Sequence, residues 1–358
     1  MGKFCAGNYR LMGENMITVY SFVFFVISFC TLFSYGQHNS KINNVLFWSC
    51  AIILIILTSI RDFTVGSDTL NYCEGFLYLR QLPLSFALRF GWEQGYVFIN
   101  WLLGHFFNDA RALLVFMAIF ILIPIFKWIK RESQYPVLSL VIFVSMGMWN
   151  SSMFILRQWC AMAILTYSYK YIKERNFFRF ILIVLIAMMF HRTAAIFILA
   201  YFIENISISK TKVFLSIPLS IVIGLLGGKI LFILNQFARI SESGNFNGGI
   251  SILIVLWFCV IARFICFKGE LSDQLNFYFK LVFLAAFLQP IAFSFSNWAR
   301  VITYFSISLT IYLPNLLGKL TDKNTSNYRL RIPIVCIFMV IMFVWFNILD
   351  LDIYYFMK

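Results

Sequence analysis

The side chains of this 358-residue chain that could do chemistry are concentrated in a few short polar stretches between long apolar runs. The densest stretch, RDFTVGSDTLNY from Arg61 to Tyr72, holds two acids, an arginine, a glycine and several hydroxyls. Gly66 permits a turn with positive φ, and Asp68 is then placed to cap a helix in which Asp68 and Tyr72 share one face. The pattern alone fits a capped turn and one wall of an active site about equally, and polarity beside a membrane favours the site.

Two arginines are predicted to lie near the ends of apolar helices. Arg157, in SMFILRQWCAMA, comes one to two turns into a helix that begins near Ser152. Burying a guanidinium in a membrane is costly, so such a group usually faces a cavity or a partner, although it can also extend to the interface. Gln158 beside it could orient the guanidinium or a sugar hydroxyl. Arg300, in SFSNWARVITYF, begins another helix, with Tyr304 one turn further along.

A histidine and an arginine, His191 and Arg192, separate two short apolar stretches, 180–190 and 193–203. Neither stretch can cross a bilayer of full thickness, which takes about 20 helical residues. We therefore expect two short helices whose junction lies below the membrane surface, in a thinned region or a water-filled vestibule. A lone histidine in such a place commonly makes a structural hydrogen bond, but it could also accept a proton, because imidazole titrates near neutral pH.

A further polar group is WEQGY, 92–96, at the start of the apolar segment 96–107. Glu93 is framed there by aromatic residues and a glycine, where a carboxylate could act as a base. Trp92 could stack on a sugar ring, although aromatic residues are equally expected at a membrane interface. The chain has no phosphate-binding GxxxxGK, no nucleophile elbow and no HExxH, and its eight cysteines lack metal-ligand spacing. We therefore expect neither a metal nor a cofactor.

The composition indicates that membrane helices position these polar stretches. Hydrophobic residues make up 61% of the chain and charged residues 12%, whereas soluble proteins carry about 25% charged residues. The sequence therefore predicts an all-α, polytopic integral membrane protein, a single domain over 1–358, with about 12 transmembrane helices plus short re-entrant or interfacial helices. The predicted crossings are 17–35, 44–60, 111–129, 135–149, 152–170, 180–190, 193–203, 213–234, 250–267, 277–295, 301–318 and 332–349.

The placement of charge sets the expected sidedness. The net charge of +14 does not indicate nucleic acid, because most lysines lie in short loops between apolar runs, as the positive-inside rule predicts. As a helix, the segment 96–107 would span only about 18 Å. We therefore expect it to be re-entrant or interfacial, the whole of 61–110 to form an extracytoplasmic loop, and both termini to lie outside. The best candidate for a cytoplasmic connector is the polar loop Thr321–Tyr328.

The expected outer side is rich in arginine but holds hardly any lysine. Its arginines are Arg61, Arg80, Arg89, Arg111, Arg157, Arg192, Arg239 and Arg300. Arginine on this side runs against the positive-inside trend and therefore needs a reason. A planar guanidinium with five donors suits phosphate and carboxylate groups.

These stretches occur in an order that resembles the EpsG family of polysaccharide polymerases, also called Wzy-type or O-antigen polymerases. The matching motifs are R-x-x-x-V-G-x-D-T-x-x-Y at 61–72, W-E-Q-G-Y at 92–96, L-R-Q-x-x-A at 156–161, A-x-x-x-H at 187–191 and R-x-x-x-Y-F at 300–305. Together they cover most of the chain between Arg61 and Phe305. Ser67 is a mild departure, because the family's first motif often reads VGTD.

The resemblance implies a bacterial inner-membrane enzyme that joins oligosaccharide repeat units carried on undecaprenyl diphosphate, with its active site facing the periplasm or outside. The growing chain would leave its lipid diphosphate and be transferred to a hydroxyl of a fresh lipid-linked unit. The expected partners are the lipid-linked donor and acceptor oligosaccharides and the lipid bilayer, with a chain-length regulator protein as a further candidate. No nucleic acid partner is expected.

This chemistry agrees with the residue types. A departing diphosphate accumulates negative charge, which preorganised arginines can stabilise without a metal. We therefore assign Arg157, Arg192 and Arg300 to the lipid diphosphate, with Arg61 as a fourth candidate.

The attacking sugar hydroxyl would benefit from a positioned base. The sequence leaves three candidates for that base: Asp68, Glu93 and His191. Further contacts with the substrate are expected from four side chains: Tyr72, Trp92, Gln158 and Tyr304.

Three other functions share parts of this pattern. An O-antigen ligase would use the same donor but transfer the glycan to a lipid A core. A lipid-linked-sugar flippase or other transporter would need charges along a central path that opens alternately to both sides, whereas the charges here are predicted near one side. An acyltransferase that modifies the glycan would also need a catalytic histidine.

Overall fold

The computed structural model describes residues 17–36, 40–238, 249–267, 269–293, 298–320 and 331–348. Every regular element in these ranges is a helix, which confirms the predicted all-α class. Arg239 and the loop Thr321–Tyr328 lie outside the described residues.

The first half of the chain contains α1 (Ile17–Gly36), α2 (Ser40–Ser59), α3 (Thr69–Leu79), α4 (Leu84–Ala87), α5 (Gln94–Phe106), α6 (Arg111–Glu132), α7 (Pro136–Ser145), α8 (Met148–Phe154), α9 (Leu156–Leu165) and α10 (Tyr169–Lys173). The second half contains α11 (Phe177–Met188), a 3-10 helix (Arg192–Ile198), α12 (Leu199–Ile203), α13 (Lys210–Ala238), α14 (Gly249–Cys266), α15 (Asp273–Leu288), a second 3-10 helix (Gln289–Phe293), α16 (Trp298–Ser306), α17 (Leu309–Leu320) and α18 (Arg331–Ile348).

The chain forms two compact units. One contains the described residues within 1–167, 185–192 and 329–358, and the other contains those within 168–184 and 193–328. Within the first unit, α7 packs against α1 and α18, and α6 packs against α2 and α9. Within the second unit, α15 packs against α14, α16 and α17, and α13 packs along the second 3-10 helix.

Four helical stretches among the described residues are long and apolar enough to cross a membrane: Ser40–Ser59, Arg111–Glu132, Lys210–Gly227 and Asp273–Phe293. Two bent helix pairs, α7 with α8 and α16 with α17, raise this number to six if each pair is one crossing. These helices identify a membrane protein. The predicted number of about twelve crossings is not confirmed by these four to six helical stretches.

The helix break that precedes Arg157 differs from the predicted one. Gly147 adopts φ 69, and α7 and α8 meet there at an angle of 63°. Ile155 then leaves the helical region, with φ −96 and ψ 52, and ends α8. Because α9 begins at the next residue, Arg157 lies in its first turn. The prediction that Arg157 lies one to two turns into a helix from Ser152 is therefore wrong.

The predicted junction at His191 is confirmed. The 12-residue helix α11 ends at Met188, and a 3-10 helix begins at Arg192. The backbone N–H of His191 still donates to the carbonyl of Ala187 at 3.0 Å, which completes the last turn of α11. The residues 180–203 are thus two helical segments, and His191 lies at the break between them.

Residues 61–110 contain three short helices, α3, α4 and α5, of 11, 4 and 13 residues. At 1.5 Å per residue α5 extends about 20 Å, which is short for a crossing. One side of α5, including Tyr96, Val97 and Asn100, is buried, and α3 packs against this helix. Phe98 and Phe106 on the other side are exposed. This layer of short helices positions Glu93, which directly precedes α5.

Candidate active site

The carboxylate of Glu93 brings together three residues that were predicted to act on the substrate. Its Oε2 atom accepts a charge-assisted hydrogen bond from Nη1 of Arg157 at 2.7 Å. Its Oε1 atom lies 3.2 Å from Nδ1 of His191 and accepts a hydrogen bond from the backbone N–H of Arg192 at 3.3 Å. The Glu93 side chain is only 10% exposed. We call these four residues the Glu93 cluster.

A glycine explains how Glu93 reaches the break after α11. The backbone N–H of Gly95 donates to the carbonyl oxygen of Met189 at 2.8 Å. A Cβ atom at position 95 would lie only 2.8 Å from that same oxygen, closer than real Cβ atoms approach a carbonyl. The start of α5 can therefore contact the end of α11 only because residue 95 has no side chain. This contact holds Glu93 beside His191.

Aromatic rings surround the guanidinium of Arg157. Tyr72 forms a hydrogen bond with Arg157, with the guanidinium as donor and the phenol oxygen as acceptor. The guanidinium carbon lies 5.9 Å from the ring centroid of Trp92, within the range of a cation–π interaction. The ring centroids of Tyr72 and Trp92 are 5.4 Å apart, and both lie against Tyr96. Four residues from three motifs of the sequence therefore meet here.

The charge of this site is set by Glu93. Burial alone would raise the pKa of the Glu93 carboxyl, but the hydrogen bond with His191 and the charge of Arg157 outweigh it and lower this pKa to about 2. Glu93 is therefore ionised at neutral pH and can only accept hydrogen bonds. The proton shared with His191 consequently belongs to Nδ1 of the imidazole. Burial also raises the pKa of Tyr72, and the charge of Arg157 opposes only part of that rise.

The stretch from Arg61 to Tyr72 contributes to this site through its last residue, Tyr72. Gly66 has φ 87, which confirms the predicted turn, and the side chain of Phe154 occupies the space where a Cβ would lie. Asp68 precedes α3 as predicted, but its side chain makes no capping hydrogen bond. The side chain of Asp68 instead accepts a hydrogen bond from the Ser67 hydroxyl at 3.4 Å, and its charge contributes to raising the pKa of Tyr72.

Arg61 is a buried residue whose side chain connects two helices. It is 0% exposed, and its guanidinium donates to two backbone carbonyls, of Thr58 at 2.5 Å and of Met153 at 2.6 Å. These bonds link the end of α2 to α8. The geometry offers no access from solvent to this guanidinium, so the assignment of Arg61 to the lipid diphosphate stays a prediction without support from its surroundings.

The remaining predicted residues are Gln158, Arg300 and Tyr304. Gln158 is 3% exposed and follows Arg157 in α9. Arg300 and Tyr304 belong to α16 of the second unit, where Arg300 is exposed at the first turn. The Tyr304 hydroxyl is 3.3 Å from that of Thr193, in the same unit. The roles assigned to Gln158, Arg300 and Tyr304 stay predictions.

A cleft of about 520 Å³ opens beside the Glu93 cluster. Its lining comes from the loop 88–94 and from the end of α11 and the break that follows it: Leu88, Arg89, Phe90, Gly91, Trp92, Glu93, Gln94, Leu185, Met188, Met189 and Arg192. Trp92, Glu93 and Arg192 thus belong to both the cleft and the polar network. The cleft is large enough for a sugar or a diphosphate group. No group of three metal-binding side chains was found among the described residues.

A protein-family comparison covers this site and most of the chain. A family model described as the EpsG family matches residues 44–357. The chain belongs to the EpsG family. Its members are Wzy-type polymerases, which confirms the resemblance drawn from the motifs. No curated protein and no solved structure matches the chain.

In this EpsG family chain, Arg89 is a cleft residue to which the sequence assigned no role. It was one of the arginines on the expected outer side, but no motif contained it. Its guanidinium lies 5.6 Å from the ring centroid of Phe86, and Arg89 belongs to the turn that follows α4. Its position three residues before Trp92 was the only available signal, and that signal is weak without the cleft.

Proposed function

We propose that this EpsG family protein is a polysaccharide polymerase that transfers a glycan from a lipid diphosphate to a hydroxyl of a second lipid-linked repeat unit. The observation that carries the proposal is the Glu93 cluster, in which one ionised carboxylate binds a histidine, an arginine and the backbone of a second arginine beside a cleft. We further propose undecaprenyl diphosphate as the lipid carrier and a cleft that faces the periplasm or outside, in the bacterial inner membrane.

In the proposed reaction, an acceptor hydroxyl attacks the anomeric carbon of the donor glycan. The bond between that carbon and the phosphate oxygen breaks, and its electron pair leaves with the lipid diphosphate. A new glycosidic bond forms, and the hydroxyl proton passes to a base. Catalysis needs a group that accepts this proton and positive charge that stabilises the leaving diphosphate.

His191 is the base that this geometry favours among the three candidates. Glu93 is a weak proton acceptor, because its pKa is lowered to about 2. Its carboxylate instead accepts from the Nδ1–H of His191 at 3.2 Å, and in the neutral imidazole this leaves the lone pair on Nε2. A carboxylate that fixes the tautomer and the orientation of an imidazole is a recurrent arrangement for general bases. Glu93 thus acts as a positioning residue.

Arg192 is the arginine best placed to bind the lipid diphosphate. Its backbone N–H is bound by Glu93, while its exposed side chain lines the cleft. Arg157 is mostly committed to Glu93 and Tyr72, but its buried Nε atom has no hydrogen-bond partner among the described residues. Arg157 therefore adds positive charge near the position proposed for the diphosphate.

The proposal is tested by incubating purified protein with lipid-linked repeat units as the only sugar substrate. We expect a ladder of polymer products, which should be absent for His191→Ala and strongly reduced for Arg192→Ala. His105→Ala is the matched control, because His105 is exposed and its Nδ1 lies 2.8 Å from the carbonyl of Trp101, outside the cleft. Transfer only to an added lipid A core would indicate a ligase. Movement of lipid-linked units across a vesicle membrane without any transfer would indicate a transporter, and both results contradict the proposal.

A further inference from the structure

Two arginines line the cleft from different parts of the chain. Arg89 follows the short helix α4, and Arg192 begins the 3-10 helix after α11. The turn that carries Arg89 is closed by backbone hydrogen bonds, from Arg89 to the Phe86 carbonyl at 3.0 Å and from Phe90 to the Ala87 carbonyl at 2.9 Å. Ala87 is fully buried. Arg89 is therefore held on an anchored turn.

Neither guanidinium is neutralised within the part of the chain that the structure describes. Among the described residues, the Arg89 guanidinium contacts the Phe86 ring alone, and Arg192 bonds to Glu93 only through its backbone N–H. The one carboxylate that lines the cleft, Glu93, already binds Arg157 and His191. The cleft therefore presents two free guanidinium groups and no free carboxylate.

The same cleft has an apolar wall. Leu185, Met188 and Met189 line it from the end of α11. Leu185 is 52% exposed and Met189 is 50% exposed, so these side chains are available for contact. Two guanidinium groups beside an accessible apolar wall fit a ligand that has an anionic head and an apolar chain.

We infer that Arg89 and Arg192 together form a binding site for a diphosphate group, with Arg89 supplying a second guanidinium. Guanidinium groups suit this ligand because each can donate two parallel hydrogen bonds to phosphate oxygens. Two arginines that bind from separate segments hold a diphosphate in one orientation. An isoprenoid chain attached to the diphosphate would lie along Leu185, Met188 and Met189. The lipid identity of this ligand rests on the proposed function, whereas the diphosphate site does not.

The inference is tested by calorimetric binding to the full-length protein in nanodiscs of phosphatidylcholine, a lipid without net charge. The probes are farnesyl diphosphate, inorganic pyrophosphate and farnesol. We expect Arg89→Gln and Arg192→Gln each to weaken the binding of farnesyl diphosphate roughly tenfold, because each removes charge-assisted hydrogen bonds. Arg89→Lys keeps a positive charge and should recover part of the loss.

The matched control is Arg179→Gln. Arg179 is also exposed, and its guanidinium also lies over an aromatic ring, 5.8 Å from the centroid of Tyr171, but it does not line the cleft. This variant removes the same charge and should bind farnesyl diphosphate as the wild type does. Wild-type affinity in Arg89→Gln, or an equal loss in Arg179→Gln, would overturn the inference. Thermal unfolding of each variant shows whether a loss of binding reflects a loss of fold.

The probes separate the possible sources of the diphosphate. Tighter binding of farnesyl diphosphate than of pyrophosphate, with both dependent on Arg89, supports a lipid-linked ligand. Equal affinity for the two supports the diphosphate site and contradicts the role of the apolar wall. Binding of farnesol that depends on Arg89 would contradict the diphosphate site itself.

The polymer assay keeps this inference distinct from the proposed function. Normal polymer formation and normal binding by Arg89→Gln would overturn the inference and leave the polymerase function standing. Binding of farnesyl diphosphate that depends on Arg89, in a protein that forms no polymer from lipid-linked units, would support the diphosphate site and overturn the polymerase function.

Discussion

The Nδ1 atom of His191 lies 3.2 Å from Oε1 of Glu93, a residue 98 positions earlier in the chain. The contact joins the start of α5 to the break after α11. The same carboxylate binds the Arg157 guanidinium and the Arg192 backbone. One acidic side chain thus determines where the proposed base and two of the arginines lie. This relationship makes Glu93 the first residue to test.

Replacing Glu93 with Gln should abolish most of the polymer formation without removing the side chain. The amide keeps the volume but loses the charge that fixes the Nδ1–H tautomer of His191, and it weakens the bond from Arg157. We expect the initial rate of polymer formation to fall by roughly 10²–10⁴-fold, the usual contribution of a positioned base. The rate is measured with lipid-linked repeat units and purified protein.

Glu174→Gln provides the comparison for this substitution. Glu174 forms an exposed i,i+4 ion pair with Lys170, of a kind that contributes little. Its loss should leave the rate unchanged. A rate for Glu93→Gln within a few-fold of the wild type would show that the carboxylate is not needed to orient His191.

The stability of the protein should depend on pH through Glu93. In the folded state the pKa of Glu93 is about 2, below the value of 4.5 for an unperturbed glutamate. Its ionised form therefore stabilises the fold fully above about pH 4.5, and this contribution is lost as the pH falls from 4.5 towards 2. Unfolding temperatures are measured from pH 7 to pH 3. The difference between the wild type and Glu93→Gln should shrink as the pH falls below about 4.5. A constant difference between the two proteins across this range would contradict the assigned pKa.

Gly95→Ala should damage both the fold and the activity, because the new methyl group would meet the Met189 carbonyl. Separating α5 from the end of α11 would move Glu93 away from His191. Overpacking of this kind costs typically about 1–3 kcal/mol. We expect a lower unfolding temperature together with a reduced polymer rate. Gly91→Ala is the control for stability, since a Cβ at position 91 has no neighbour within 4 Å. An unfolding temperature of Gly95→Ala equal to that of Gly91→Ala would argue against the close contact.

The polar motifs predicted local turns and helix breaks better than the predicted crossings described the helices. Gly66 was expected to have positive φ, and His191 was expected at a helix break, because local chain preferences decide both features. The number of crossings was harder to predict. Apolar length alone does not reveal that Gly147 bends one helical segment or that Ile155 ends another. Hydropathy therefore did not predict that Arg157 lies in the first turn of α9.

Roles that depend on distant contacts could not be predicted from the residue types. Glu93 was expected to be a candidate base, yet the contacts from Arg157 and His191 lower its pKa and favour a positioning role. Arg61 was grouped with the phosphate-binding arginines, but two backbone carbonyls take its donors. Arg89 belongs to no motif, and only the folded loop brings it into the cleft with Arg192. In each case the deciding partner lies elsewhere in the sequence.

Arg61 and Arg192 should respond to substitution in opposite ways. Arg61→Ala leaves the buried carbonyls of Thr58 and Met153 without these donors, at a cost of about 1–3 kcal/mol for each unsatisfied group. We expect a lower unfolding temperature and less folded protein, with a normal polymer rate per folded molecule. Arg192→Ala removes an exposed side chain from the cleft and should reduce the polymer rate while leaving the unfolding temperature unchanged, because only its backbone bonds to Glu93. Arg61→Lys, which keeps a positive charge and N–H donors on a single nitrogen, should recover part of the stability. An Arg61→Ala protein that unfolds at the wild-type temperature and forms no polymer would instead place Arg61 in contact with the substrate.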